Sequence, residues 1–423
     1  MIDVPYSATA AGRPLRIAMV AACPFPYPRG TPVRIHRMAE SLADRGHEVH
    51  VVTYHLGREM EDRRIHVHRI RDVKRYTRVS PGPSLGKLLL LDPLLGLRLR
   101  SVLREHAIDV IHAHHYEGLL VARLRRSRGI PVIYDAHTLL ASELPFYGAG
   151  PGARVKRFIG GLFDRYLPGR ATHVIAVTDK IRDRLIDIGA VPPERISVVT
   201  NGVGAARFDT ATPAARNGQR TIVFAGNLAS YQGIAPLLHA FRHIRDRRSD
   251  VRLQIVSESS FGDYEDLAAS LGVRDAIDVV NATFEELPPY LVAADVAVNP
   301  RSDGEGIPQK LMNYMAAGRP IVSFEGSAAH LEHGRTALLV TNHDTRAFAS
   351  GIEQVLDHPE LAARLGATAR SEVDRQYSWD RTAERTERIY RRLVQRRSEP
   401  EHVAAPASRS GSVLHRPHAV REG

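Results

Sequence analysis

The 423-residue chain has a single cysteine, Cys23, so no disulfide can form within it and a reducing compartment fits. It also lacks a long apolar run. The most apolar stretch, Leu88 to Leu97, contains Asp92 and Pro93 and falls far short of the roughly 20 residues that span a bilayer. Any membrane contact is therefore expected to be peripheral. The opening MIDVPYSATAAGRP has no basic start followed by an apolar stretch, so no secretory signal is expected and the reading is cytoplasmic. Short-period repeats are absent. Hydrophobic residues at 43% and charged residues at 25% are ordinary for a globular protein, and the length suits two or three domains. Acidic charge is in deficit: the formal net charge is +11. That excess points to an anionic partner, which could be nucleic acid, a phosphorylated substrate or an acidic membrane surface.

Short apolar runs alternate with helical segments, the pattern of an α/β protein with parallel sheets. Arg16 to Ala22 reads as a strand, followed by the loop CPFPYPRGTP. A helix follows with Ile35, Met38, Ala39 and Leu42 on one face and Gly46 as its cap, then a strand from Val49 to Thr53. This is the opening of a nucleotide-binding βαβ unit. Further buried strands are expected at Val110–Ala113, Val132–Tyr134 and Val174–Val177. A second series runs through Thr221–Ala225, Leu253–Val256, Asp278–Val280, Val296–Asn299, Ile321–Phe324 and Leu338–Val340. Trp379, Ala383, Thr386, Tyr390 and Leu393 then recur at helical spacing, and the tail beyond reads as disordered.

The stretch SDGEGIPQKLMNYMAAGRPIV follows a strand and opens a helix at about Pro308. Free amides at such a helix start favour an anion. Lys310 sits in the first turn, where a cation opposes the helix dipole, an unfavourable choice that a phosphate would explain. Glu305 lies in the glycine-containing loop beyond the strand's carboxyl end, where open α/β sheets bind ligands, and its carboxylate can accept hydrogen bonds from sugar hydroxyls. Asn313 shares a helical face with Lys310; its plainer reading is an exposed helix asparagine. Asp303 and Glu305 could instead be a metal-binding pair, but carboxylates alone are a weak metal signal. His112, His114 and His115 look like metal ligands, yet no acidic or cysteine partner follows at metal spacing, and no metal is expected.

The stretch from Glu305 to Pro320 resembles the donor-site signature of retaining glycosyltransferase family 4, which has the GT-B fold. Glu305 matches the motif's first glutamate, Asn313 stands where the second belongs, and Met315, Ala316, Gly318 and Pro320 match the rest. The resemblance implies that the first position contacts the donor hexose and the second the ribose. Gly306 and Ile307 fall in the same donor-binding loop. FAGNLASYQGIAPLLHAF resembles a second family segment whose arginine and lysine bind the donor diphosphate; Asn227 and Gln232 hold those positions here, after Gly226. Lys310 is then the one full charge left among the candidates. The turn at Asn201-Gly202-Val203 and the glycine loop at Gly30 are similar to the family's, and His137 resembles its first-domain histidine facing the donor sugar.

These matches imply two doubly wound Rossmann-like domains facing each other across a cleft. Expected bounds are 14–190 for an acceptor domain, 205–375 for a donor domain, 376–396 for a helix crossing back, and 397–423 for the tail. The implied activity is retaining transfer of a sugar from a nucleotide-sugar donor, with His137 and Glu305 as the catalytic candidates and with neither metal nor cofactor. The acceptor could be a lipid-linked glycan, a polysaccharide or a small molecule. A sugar-nucleotide epimerase of the same fold and a non-catalytic sugar-nucleotide binder are the alternatives; nucleic acid is not an expected partner. Two stretches, Lys87–Arg104 and Arg154–Tyr166, mix apolar and basic residues. They suggest that the first domain rests on anionic lipid, against the alternative of two ordinary helices with basic outer faces.

Overall fold

The computed structural model describes residues 12–398 except 28–29, 61, 63, 75, 78–81, 83, 85, 125–128, 147–151, 216–217 and 305–307. The expected tail, apart from its first two residues, lies outside the described residues. The first sheet contains β1 (Arg16–Ala21), β2 (Glu48–Thr53), β3 (Ile65–Arg69), β4 (Val110–His114), β5 (Val132–Ala136), β6 (His173–Ala176) and β7 (Ile196–Val198), in the order β3-β2-β1-β4-β5-β6-β7. The second contains β8 (Arg220–Ala225), β9 (Val251–Val256), β10 (Ile277–Val280), β11 (Val296–Asn299), β12 (Ile321–Phe324) and β13 (Leu338–Val340), in the order β10-β9-β8-β11-β12-β13. Every ladder is parallel. Parallel strands need crossovers, and helices supply most of them; β2 to β3 and β12 to β13 cross without an α-helix among the described residues.

Two strands had no clear signature in the sequence, β3 and β7, and both are edges of the first sheet. An edge strand need not be apolar on both faces: in β3, Ile65 and Val67 alternate with His66 and His68. Each sheet reverses its strand order at its centre, between β1 and β4 and between β8 and β11. The crevice beyond the carboxyl ends at such a point is where open α/β sheets take ligands.

The helix Trp379–Ser398 buries Ala383, Ile389, Tyr390 and Leu393 against Ile35, Met38 and Leu42 of the helix Gly30–Asp44, on the first sheet's outer face. Its Tyr390 hydroxyl lies 2.5 Å from His112 Nδ1. The chain passes between the two domains twice, at 199–205 and at 376–379, and the passages touch. Val203 N donates to Tyr377 O at 2.7 Å, and a Cβ on Gly202 would lie 2.7 Å from the Trp379 backbone and ring.

Candidate active site

The candidate residues of the second domain come from the carboxyl ends of β8 and β11 and from the helix Gln309–Ala316. Pro308 has ψ 121° and caps that helix, so Lys310 is its second residue. Glu305, Gly306 and Ile307 lie outside the described residues. Lys310 is buried, not solvent-facing, and its ammonium donates to Gln232 Oε1 at 2.6 Å while sitting 4.2 Å from the centre of the Phe224 ring. Burial pushes this ammonium well below its ordinary pKa, and the nearby Arg301 pushes the same way. Gln232 in turn approaches Asn227 Oδ1 at 3.4 Å through its amide nitrogen, and Asn227 Nδ2 donates to the Tyr231 hydroxyl at 3.3 Å. The two residues that replace the family's cations are thus joined to the lysine that the sequence reading offered as their substitute.

Lys310 is not the only full charge here, which corrects the sequence reading. Arg301, two residues past β11, is half-buried, with its guanidinium 5.2 Å from the centre of the Tyr231 ring and Nε donating to Asp303 O at 2.5 Å. Its backbone is fixed from below: Ser327 Oγ donates to Arg301 O at 2.7 Å, and Asn299 Nδ2 donates to Ser323 and Ser327 hydroxyls at 2.8 and 2.9 Å. Its signal in the sequence was position alone, a cation just beyond a strand's carboxyl end. Gly233 has φ 77°, and a Cβ there would lie 2.0 Å from Pro300 O, so only glycine lets the two loops meet.

Asn313 is also not exposed. It is 2% accessible, and its Oδ1 has no hydrogen-bond partner among the described residues. A buried acceptor left unpaired is costly unless a ligand or water completes it. Gly226 needs its φ of 141°, but its amide is already donated to Val256 O at 3.1 Å, so it is not free to hold an anion. Tyr314 fixes the helix to β8 by accepting from Ala225 N at 2.8 Å.

The first domain contributes the carboxyl ends of β1, β4 and β5. Gly30, at φ 41°, begins the helix Gly30–Asp44, and a Cβ there would meet nothing, so its backbone angle and not space favours glycine. Arg34 on this helix makes a fully buried pair with Asp135, Nε to Oδ2 at 2.9 Å and Nη2 to Oδ1 at 3.1 Å. It also donates to Asn201 Oδ1 at 2.9 Å and Val199 O at 3.1 Å, at the start of the first passage between domains. Burial opposes ionisation of Asp135, but Arg34 together with His137, His112 and His114 outweighs it and holds the carboxyl well below the usual carboxylate range. Around the same carboxylate stand His114 Nδ1 at 3.2 Å and His112 Nε2 and His137 Nε2 at 3.4 Å each.

Burial pushes His137 down to about 4, with Asp135 opposing, so its imidazole is neutral near pH 7. It stacks on His115 with centroids 4.6 Å apart, and Thr31 Oγ1 lies 3.4 Å from His137 Nδ1 and 2.6 Å from His115 Nε2. His115 adopts φ 58°, an uncommon angle for a side-chain-bearing residue and one that clusters at functional sites. The acidic partner that the sequence did not offer the histidines comes from the neighbouring strand: His114 and Asp135 are opposite each other in the β4–β5 ladder. His112, His114 and Asp135 place ligand atoms within 4.8 Å of one another, but Arg34 already supplies the cation to that carboxylate. A second group, His50, His68 and His106, lies with Glu48 at the other end of the strands. There the chain Glu48–His50–His68–Arg98 closes through contacts of 3.0, 2.9 and 3.3 Å.

The arrangement offers a buried ammonium, an adjacent guanidinium and an orphaned amide oxygen at one switch point. At the other it offers a neutral histidine held by a buried ion pair. Family models agree with that division: "Glycosyltransferase Family 4" matches residues 28–207 and "Glycosyl transferases group 1" matches 219–358. The chain is 27% identical to a D-inositol 3-phosphate glycosyltransferase of Thermobispora bispora, over 87% of this chain and 90% of that protein. It is 30% identical to one of Streptomyces scabiei, over 67% of each. Among solved structures, Anabaena Alr3699/HepE in complex with UDP superposes with a TM-score of 0.68 at 16% identity, over 89% of this chain and all of that one. Two parallel sheets, each with a central switch point and each matched by its own family model, make this chain a member of the glycosyltransferase family, an enzyme of the GT-B fold.

Proposed function

We propose that the enzyme transfers a sugar from a nucleotide-sugar donor with retention at the anomeric carbon, and that the donor lies on the helix Gln309–Ala316 with its diphosphate at Lys310 and Arg301. The observation that carries this reading is the Lys310–Gln232 contact beside Arg301. A buried ammonium held by a neutral amide is under-compensated, and a dianion would complete it. Asn313 Oδ1 takes a ribose hydroxyl, and Glu305 the donor hexose.

The chemistry asks little of any nucleophile. The acceptor oxygen attacks the anomeric carbon on the face the diphosphate leaves, and the departing phosphate oxygen takes the acceptor's proton. The protein positions the two reactants and stabilises the leaving charge without a metal or a cofactor. Neutral His137 hydrogen-bonds a donor sugar hydroxyl, oriented by Asp135 and His115. The relatives' names support transfer over epimerisation or mere binding. The acceptor is a hydroxyl compound, and a peripheral seat on the cytoplasmic face of an anionic membrane belongs to the same reading.

The test is calorimetry with nucleoside mono- and diphosphates, after a melting-temperature screen of nucleotide sugars has found the base. The diphosphate should bind more tightly, and Lys310→Ala should erase most of that advantage. An unchanged advantage removes Lys310 from the site. The product anomer, read by NMR, should match the donor's; inversion would end the retaining assignment.

A further inference from the structure

The helix Ala153–Tyr166 is amphipathic inside out. Val155, Phe158, Ile159, Leu162, Phe163 and Tyr166 recur on one face, and that face is turned to solvent: Phe158 is 67% exposed. The helix is anchored by its opposite side. A Cβ on Gly160 would lie 2.6 Å from the Ala141 backbone, and the Asp164 carboxylate accepts from Leu140 N and Ala141 N at 2.9 and 2.8 Å. At 3.6 residues per turn, Lys156 falls on one edge of the apolar stripe and Arg154 and Arg165 on the other.

A second apolar patch stands on the turn Lys87–Leu91, where Leu88, Leu89 and Leu90 are exposed, Leu89 to 71%. Both patches border the carboxyl rim of the first sheet. Asp92, the residue after that turn, accepts from the Tyr54 hydroxyl at 2.5 Å directly past the carboxyl end of β2, and the outer helix packs on the short helix Leu140–Glu143, which begins four residues past β5.

We propose that this rim is a docking surface for an anionic lipid bilayer. The rings and branched chains of the outer helix enter the acyl boundary, and the exposed Arg154 on its edge reaches up to headgroup phosphates, with Lys156 adding positive charge on the other edge; Arg165 donates to Ile188 O at 2.8 Å and stays with the protein. Leu88, Leu89 and Leu90 insert beside it. The basic edges and the chain's net charge of +11 select anionic lipid over neutral lipid. They also disfavour a second copy of the chain, because a two-fold contact through this face sets each basic edge close to its like. The proposal rests on the transfer reading only in that a docked rim turns the acceptor side of the cleft toward lipid; binding itself needs no turnover.

Co-sedimentation of the full chain with vesicles of phosphatidylcholine, and of phosphatidylcholine mixed equally with phosphatidylglycerol, tests it. Several-fold more protein should pellet with the mixed vesicles, less as salt is added. Phe158→Glu should abolish pelleting, and Arg154→Glu with Lys156→Glu should reduce it to the neutral-vesicle level, each with an unchanged melting temperature. Equal pelleting on both vesicles, none on either, full pelleting of Phe158→Glu, or a dimer in sedimentation equilibrium that Phe158→Glu dissolves would each overturn the proposal. Nucleoside diphosphate binding by the same variants keeps a failure of docking apart from a failure of the donor site.

Discussion

Lys310 donates to Gln232 Oε1 at 2.6 Å, so the cation of the helix Gln309–Ala316 is fastened to the residue whose position, in the motif this segment resembles, is cationic.

Replacing the amide by a carboxylate separates stability from binding. Gln232→Glu should pair with Lys310, hold it charged and raise the melting temperature of the free protein. The same carboxylate then faces the incoming diphosphate, and affinity should fall roughly tenfold or more. A variant that binds the diphosphate as well as the parent would show that the ligand does not approach Gln232.

Arg301→Ala should cut nucleoside diphosphate affinity by about 10- to 100-fold, the range of one charged hydrogen bond, with a much smaller effect on the monophosphate. Folding should survive, because the Ser327 contact that fixes this loop uses the Arg301 carbonyl and not its side chain. Calorimetry of both ligands checks the split; equal losses on the two would place Arg301 away from the diphosphate.

The buried pair of Arg34 and Asp135 predicts an asymmetric cost. Arg34→Met leaves a buried carboxylate without its arginine and should destabilise by about 3–5 kcal/mol in urea unfolding, whereas adding Asp135→Asn should return part of that loss. Additive losses in the double variant would mean that the two side chains do not act as a pair.

Acid should weaken the fold through histidines kept neutral by burial. His137 and His330 are both pushed down to about 4, and neither ring nitrogen of His330 has a partner among the described residues. In the unfolded chain these rings take up protons near 6.5, so stability is full above that pH and declines as pH falls from about 6.5 to 4. Each contributes at most about 3 kcal/mol to the decline. His330→Leu should flatten the profile of urea stability against pH; an unaltered slope would show that His330 is protonated freely in the folded protein.

Much of this was legible in the sequence where burial is two-sided. Strands β1 and β8 announce themselves through the apolar runs Ile17–Ala21 and Ile222–Ala225. β3 and β7 do not, because an edge strand is half-buried at most. The motif placed Asn313 and Lys310 on the donor helix, but only the fold could show that both are buried and that Lys310 turns to Gln232. Arg34 was invisible for a different reason. Nothing nearby in sequence explains a cation on the inner face of a helix; its partner Asp135 is 101 residues away and meets it only when β5 lies beside β4. The outer helix left two readings open for another reason: its stripe pattern is the same whether the apolar face looks inward or outward, and only the packing of Gly160 and Asp164 decides which.

The two passages of chain between the domains are strapped together, Val203 to Tyr377 and Gly202 against Trp379, and this limits how the molecule opens. Two separated linkers would let the halves twist or slide independently. Two adjacent ones form a single pivot, so any rotation between the halves would turn about one axis and carry the rim opposite the pivot farthest. A side chain added at Gly202 would strike Trp379 at that pivot.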